Sequence, residues 1–369
     1  MKIGLDLRML GGGSGISRYI GELSQQILTL DKTNQYVLFF RTLDAQMRAQ
    51  YEKFGHKMVE TGIAHYSVAE QTRFARILKK ENLDLVHFPH FNAPLLYPGK
   101  FVVTIHDLTH TKFPGKKKSR FLFRAAYNLI LANAVKRSAK IIAVSQATKN
   151  ELAEYFKIGN KTEVVYEGIN AVYKVEDREV AQKEAKIKFG LDKPFLLYVG
   201  VWRRYKNLPA LAEVFSKLVD AGHDLDLVLA GEPDPFYPEI KEKIMSVKNS
   251  ARIKAVGRVS DDDLNTLYNS CRLFVLPSLA EGFGLTALEA AACGAPMALS
   301  DIPTLREVMG QGAEFFDPHN EDNMQDVLDG LLNNEQRLED LANSGLARSK
   351  HFSWKQAAEE TIKIYESTK

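Results

Sequence analysis

The sequence predicts an α/β protein made of two doubly wound domains, each built on a parallel sheet. Three observations carry that expectation. The chain has 369 residues, too many for one ordinary core. Short apolar runs alternate with longer amphipathic ones in two separate series, the order that builds parallel strands covered by helices. Between the series, from Asn170 to Lys193, the pattern turns charged and loses its strands. That stretch reads as a linker with one helix, Val180–Lys188. The expected domains are 1–173 and 174–353, with a helical tail over 354–369.

In the first series the candidate strands are Ile3–Leu7, Tyr36–Phe40, Leu83–Phe88, Phe101–Ile105, Ile141–Ser145 and Glu163–Tyr166. Helical spacing lies between them at Ile16–Leu30, Val68–Lys80 and Ser119–Lys136. In the second series the strands are Phe195–Val199, Leu225–Ala230, Ile253–Val256, Leu273–Leu276, Pro296–Leu299 and Glu314–Phe316. Helices intervene at Leu208–Ala221, Glu239–Val247, Asp262–Asn269 and Ala287–Ala292, and Trp354–Ser367 closes the chain. In such sheets a ligand sits at the carboxyl ends of the strands.

Composition bounds the function. Hydrophobic content of 45% and charged content of 26% describe a water-soluble globular chain, and a net charge of +3 is too small to argue for nucleic acid. The two cysteines, Cys271 and Cys293, have no metal-ligand spacing and read as small buried residues in a reducing compartment. The opening MKIGLDLRML is a strand broken by Asp6 and Arg8 rather than a signal peptide, and no apolar run reaches the roughly 18 residues that span a bilayer. The expected location is the cytoplasm.

The richest stretch is Glu281–Glu289, EGFGLTALE. It follows the apolar run Leu273–Leu276 and precedes an Ala-rich helix, so it is a strand, a glycine-bearing turn and a helix start. The free N–H groups of a helix N-terminus, with its dipole, attract phosphate. Glu281 and Glu289 flank the turn, and carboxylates accept hydrogen bonds from hydroxyls. Anion-binding amides between hydroxyl-binding carboxylates point to a sugar nucleotide diphosphate. A plainer reading stands beside it: Thr286–Glu289 has the T-x-x-E form of a capping box, which needs no ligand.

Other strand ends add to the picture. Gly200-Val201-Trp202-Arg203-Arg204-Tyr205-Lys206-Asn207 sets three cations in a strand-to-helix loop, enough to neutralise a diphosphate. His106 follows a strand in Thr104-Ile105-His106-Asp107, where an open sheet presents its ligands. Gly11-Gly12-Gly13-Ser14-Gly15 leaves room for a ligand or serves as loop punctuation. It is not the dinucleotide fingerprint, since Ile16 and Arg18 stand where glycine is required. Lys116–Lys140 is basic and amphipathic, either a solvated helix face or a surface for anionic lipid. Asp261-Asp262-Asp263 reads as the first turn of a helix, and Asp224-Leu225-Asp226 as the start of a strand. Neither is taken as a metal site.

Taken together, the chain resembles a retaining glycosyltransferase of family 4, the glycosyl transferases group 1. The fold so implied is GT-B: two Rossmann-like domains facing across a cleft, with the last helix crossing back to the N-terminal domain. EGFGLTALEAAACGAP is similar to the family's element of two glutamates with seven residues between them. VGVWRRYKN is similar to its phosphate-binding loop and closest to mannosyltransferase-like members. TIHDLTHTKFP, VSQATKNEL, GRVSDDDLNTLYNSC and SDIPTLREV match more weakly. The sequence departs from many members at Val201, where an arginine often follows the loop glycine, and at Arg306, where a proline often precedes the glutamate.

The resemblance implies roles. Glu281 would hold donor-sugar hydroxyls, and Gly282, Phe283, Gly284, Leu285 and Thr286 would face the sugar and diphosphate. Glu289 would hold the ribose. Arg204 and Lys206, with Gly200 and Arg203 in the same loop, would meet the leaving diphosphate. Gly257, Arg258 and Val259 would lie against the base. His106 would reach the donor sugar, and Gly13 and Gly15 would close over the phosphates or the acceptor. The expected donor is GDP-mannose, and the acceptor is a glycan or lipid-linked glycan. An anionic membrane surface would be met through Lys116–Arg124. No cofactor, metal or nucleic acid is expected. No carboxylate stands out as a nucleophile, so the expected chemistry is same-face attack with fixed cations stabilising the leaving group. A sugar-nucleotide epimerase of the same shape and a non-catalytic two-domain sugar-binding protein are the rival readings.

Overall fold

A computed structural model describes residues 1–12, 15–113 and 121–369, without the side chains of 121–123. Gly13 and the basic cluster Lys116, Lys117, Lys118 and Arg120 lie outside the described residues, as do the side chains of Phe121 and Phe123. The chain divides into two units, Met1–Gly168 with Ser353–Lys369, and Ile169–Phe352.

The first unit holds a seven-stranded sheet. Its strands are β1 (Lys2–Asp6), β2 (Gln35–Phe40), β3 (Lys57–Glu60), β4 (Leu85–Phe88), β5 (Phe101–Ile105), β6 (Lys140–Ala143) and β7 (Thr162–Val164). They pair in the order β3-β2-β1-β4-β5-β6-β7, all parallel. The chain runs outward from β1 to β3, then returns to β4 on the other side of β1, so the order reverses between β1 and β4. One face of the sheet packs Val37, Phe39, Val86, Phe88, Val103 and Ile105 into a core with Leu131, Ala134 and Val135 of the helix Phe121–Arg137. The last helix, Trp354–Glu366, belongs to this unit: Trp354 meets Tyr19 edge to face and Tyr365 bonds His87 from inside the core.

The second unit holds β8 (Phe195–Val199), β9 (Asp226–Ala230), β10 (Ile253–Gly257), β11 (Leu273–Leu276), β12 (Met297–Ser300) and β13 (Glu314–Phe316). They pair in the order β10-β9-β8-β11-β12-β13, again all parallel. Central strands β8, β11 and β12 are buried at every residue, which is why they appear in the sequence as unbroken apolar runs. The order reverses between β8 and β11, and at such a point the two loops that leave the strands diverge and leave a crevice.

The structure differs from the sequence expectation at several places. The first unit ends at Gly168, not at 173, because the following residues bond to the second unit. Tyr173 donates to Asp261 at 3.0 Å, and the Lys174 and Glu176 amides donate to Asn265 and Asn269. Strand β3 and the helices Ala45–Glu52 and Gln146–Phe156 were not expected from the pattern. The expected helical run Val68–Lys80 is split: a π-turn, Glu70–Phe74, precedes the helix Ala75–Lys80. The side chain of Glu70 explains the bulge, since it turns inward to accept from the Tyr66 amide and from Arg8. Ser260 caps the helix Asp261–Ser270 with the three aspartates in its first turn, as expected. Among the described residues no helix is long and apolar enough to cross a membrane.

Candidate active site

In the second unit the loops after β8 and β11 flank the reversal point. The β8 loop begins at Gly200, whose φ of +151° suits glycine, and is pressed against the loop after β9. A Cβ on Gly231 would come within 2.1 Å of the Gly200 carbonyl oxygen. Trp202 is buried beneath the loop and forms a lone bridge with Pro233. A short turn, Arg204–Lys206, then enters the helix Leu208–Asp220 through Asn207, which adopts a left-handed φ of +55° and donates to the Pro318 carbonyl. The two loops are tied directly, since the Leu279 amide donates to the Tyr205 carbonyl at 2.7 Å.

That arrangement brings Lys206 and Glu281 together across 75 residues of sequence: Lys206 Nζ donates to Glu281 Oε1 at 2.6 Å. The two side chains keep 13% and 11% of their surface in water. Burial works against the Lys206 ammonium, but the Glu281 carboxylate beside it holds its pKa above the ordinary value. The two arginines take different partners. Arg203 is half-buried and donates to Asp234 at 2.9 Å, while Arg204 is exposed, donates to Glu239 at 2.9 Å and lies near the Tyr237 ring. Both partner carboxylates come from the segment after β9, so every cation of the loop is paired with an acid.

The β11 loop ends at Gly284, φ +89°, which opens the helix Leu285–Ala292. A Cβ there would meet Leu305 Cδ2 at 2.6 Å. Gly284 occupies the N-cap and contributes no side-chain bond, and Thr286 is already inside the helix. The capping-box reading of Thr286–Glu289 therefore fails. First-turn amides such as those of Leu285 and Thr286 have no partner within the helix. Thr304 Oγ1, in the helix Pro303–Met309 that follows β12, donates to the Glu281 carbonyl at 2.9 Å and fixes the turn. Phe283 is buried against Phe352. Glu289 is buried and accepts from the Tyr268 hydroxyl at 3.1 Å. Gly257, the last residue of β10, has φ +69°, and after it Arg258 is exposed and Val259 is half-buried. Among the described residues no group of His, Cys, Asp and Glu is arranged to hold a metal.

In the first unit Gly15 starts the helix Gly15–Leu30. His106, at the end of β5, has both ring nitrogens engaged: Nδ1 with Glu167 Oε1 at 3.3 Å, Nε2 with the Pro89 carbonyl at 2.9 Å. Burial opposes its charge, but Glu167 and the Pro89 carbonyl raise its pKa above the ordinary value. Sequence reasoning did not anticipate the other charge centre here. Arg8, two residues beyond β1, is fully buried; its guanidinium donates to Asp6 at 2.7 Å and to Glu70 at 2.6 Å and stacks on Phe74 at 3.6 Å. Asn92 completes the cluster by donating to Glu70 at 2.7 Å. The available signal was the interruption of an apolar strand by Asp6 and Arg8.

Comparison with known proteins agrees with this architecture. Residues 13–172 match the family described as Glycosyltransferase Family 4, and residues 179–348 match Glycosyl transferases group 1. The chain is 33% identical over 273 residues to the serotype-specific mannosyltransferase WbdA of Escherichia coli, an alignment that takes in 71% of this chain and 32% of that enzyme. It thus spans about a third of the length of that relative. It is 26% identical over 379 residues to the O-antigen chain mannosyltransferase B of the same species, covering 95% and 96% of the two chains. Among solved structures, sucrose-phosphate synthase from Thermosynechococcus elongatus superposes with a TM-score of 0.80 at 18% identity over 100% of this chain and 98% of that one. Anabaena HepE in complex with UDP and glucose gives 0.79 at 17% identity over the full length of both. The fold is that of the GT-B glycosyltransferases. The chain belongs to glycosyltransferase family 4, the glycosyl transferases group 1, and its relatives include mannosyltransferases.

Proposed function

We propose that the chain is a retaining, metal-independent glycosyltransferase that moves a hexose from a nucleoside-diphosphate sugar to a glycan or lipid-linked glycan. Mannose from GDP-mannose is the favoured donor. The observation that carries this reading is the Lys206–Glu281 pair at the reversal point of the second sheet, beside the N-terminus of the helix Leu285–Ala292. It joins a cation for a diphosphate, a carboxylate for sugar hydroxyls and unbonded helical amides in one place. The names of the mannosyltransferase relatives support the sugar, and the UDP-glucose complex of HepE supports the donor class.

In this reading Lys206, Arg203 and Arg204 meet the diphosphate and stabilise the charge that grows as it leaves. Each already has an acid partner, so the incoming phosphates compete with Glu281, Asp234 and Glu239 rather than with water alone. Glu281 holds the donor-sugar hydroxyls, Glu289 the ribose, and Gly257–Val259 the base. The leaving phosphate takes the acceptor proton. An anionic membrane met through residues 116–124 rests on the charge pattern of that stretch alone.

A panel of nucleotide sugars, scored by thermal stabilisation and by acceptor-dependent release of nucleoside diphosphate, tests the proposal. GDP-mannose is expected to give both signals. Release of diphosphate without any sugar acceptor would favour the epimerase, and stabilisation without turnover on any acceptor would favour a binding protein.

A further inference from the structure

The His106 ring faces two groups that carry no proton to give. Pro89 offers a carbonyl and Glu167 a carboxylate, so each ring nitrogen must donate. A histidine that donates from both nitrogens is an imidazolium. The surroundings are arranged for that ion. Glu167 is 4% exposed, and its Oε2 has no partner among the described residues, so His106 is the cation that compensates a buried carboxylate. The backbone holds Glu167 in place, because Gly168 sits where a Cβ would come 2.1 Å from the Trp354 amide nitrogen at the start of the last helix. Tyr19 closes one side of the ring edge to face, with centroids 4.6 Å apart.

The other groups facing His106 fit the same assignment. Asp107, next in the chain, favours the charge. His87, on neighbouring β4, is held neutral by burial and by the charge on His106, with its pKa pushed down to about 3, and it spends its nitrogens on Tyr365 and Thr104. His90 lies 6.0 Å away, ring centre to ring centre, and pairs with Tyr66. Tyr19 is bonded to Thr104 and is held in its neutral form by burial.

We propose that Glu167 is a positioning residue that, together with the Pro89 carbonyl, fixes His106 as an oriented imidazolium at the end of β5. His106 then acts in sugar transfer as a fixed positive charge and not as a proton acceptor. This rests on the glycosyltransferase reading for its role in turnover, and on the hydrogen bonds alone for its charge state.

The test is a proton NMR titration of the imidazole Cε1–H signals in the full chain without substrate, with His106 assigned by its loss in H106Q. His106 is expected to titrate above the ordinary value of about 6.5. E167Q should lower that midpoint by about one unit or more, and E167D should restore most of it. The basic limb of the kcat/KM profile should move down with the NMR midpoint in E167Q, which loss of packing alone would not produce. A His106 that titrates at or below the ordinary value in the wild type, or a midpoint unmoved by E167Q, overturns the assignment. The NMR arm needs no activity, so failure of the glycosyltransferase reading would show separately, as absent turnover with an unchanged titration.

Discussion

At the reversal point of the first sheet Arg8 lies in the interior, closed in by Asp6, Glu70 and the Phe74 ring. At the reversal point of the second sheet Lys206 and Glu281 keep about a tenth of their surface in water, and Arg203 and Arg204 keep 37% and 63%. Both pairs of loops leave the carboxyl ends of parallel strands, so topology does not separate them. Exposure does. Charges sealed against one another can only hold a fold, because no ligand can take over one partner. Charges at the surface of a crevice can trade an acid for a phosphate at modest cost. The difference fits a structural role for the first cluster and the proposed donor role for the second.

The largest effect should come from breaking the sealed cluster. Arg8→Met strands two buried carboxylates and should cost about 3–5 kcal/mol of stability, read by urea unfolding. A loss below 1 kcal/mol would mean that the cluster is open to water. Lys206→Ala should leave the fold intact and cut turnover by about a hundredfold to a thousandfold, as for loss of one charge-stabilising donor. Wild-type kinetics in that variant would remove the diphosphate from this loop. Gly284→Ala forces a side chain onto a φ of +89° against Leu305 and should cost about 1–3 kcal/mol, with a drop in activity larger than the drop in folded fraction.

Protonation gives a smaller, graded effect in the first unit. The pKa of His106 is raised in the folded state, so its stabilisation is fully present below the unfolded value of about 6.5 and is lost as pH rises through the folded one. His87 works the other way: pushed down to about 3, it stays neutral while the unfolded chain takes up a proton. Stability should therefore fall below pH 6.5 by about 1.4 kcal/mol per unit from His87, and His87→Gln should flatten that limb. An acid limb that is unchanged in His87→Gln would refute the buried neutral imidazole. The smallest effect is an expected zero: excess EDTA should leave transfer unaltered, and loss restored by Mg²⁺ or Mn²⁺ would place a metal at the diphosphate.

Much of this architecture was legible before the structure. Strands β5, β8 and β11 stand where the apolar runs predicted them, because each is buried at every residue and a buried parallel strand is predominantly apolar. Strand β3, KMVE, was not, since it lies at a sheet edge with two exposed ends and carries no alternation. The helix Ala45–Glu52 buries only Tyr51, so it has no apolar face to detect. In the candidate site, Lys206, Arg203, Arg204 and Glu281 were legible as residues at strand ends, but their partners were not. Asp234 and Glu239 lie one loop away, and nothing in their spacing tells that they take the two arginines. The His106–Glu167 bond joins positions 61 residues apart through the packing of Gly168 on Trp354, which no local pattern encodes.

In the proposed function the Lys206–Glu281 crevice binds a nucleoside diphosphate. Calorimetric titration of the wild type, Lys206→Ala and Arg258→Ala with GDP, UDP and ADP tests it most directly. One of the three nucleotides should bind the wild type, with GDP favoured, and its Kd should rise tenfold or more in Lys206→Ala, about 1.4 kcal/mol. Arg258→Ala should change the ranking of the three bases more than the affinity for the best one. No binding of any nucleoside diphosphate by the folded wild type, or equal affinity in Lys206→Ala, would contradict the account.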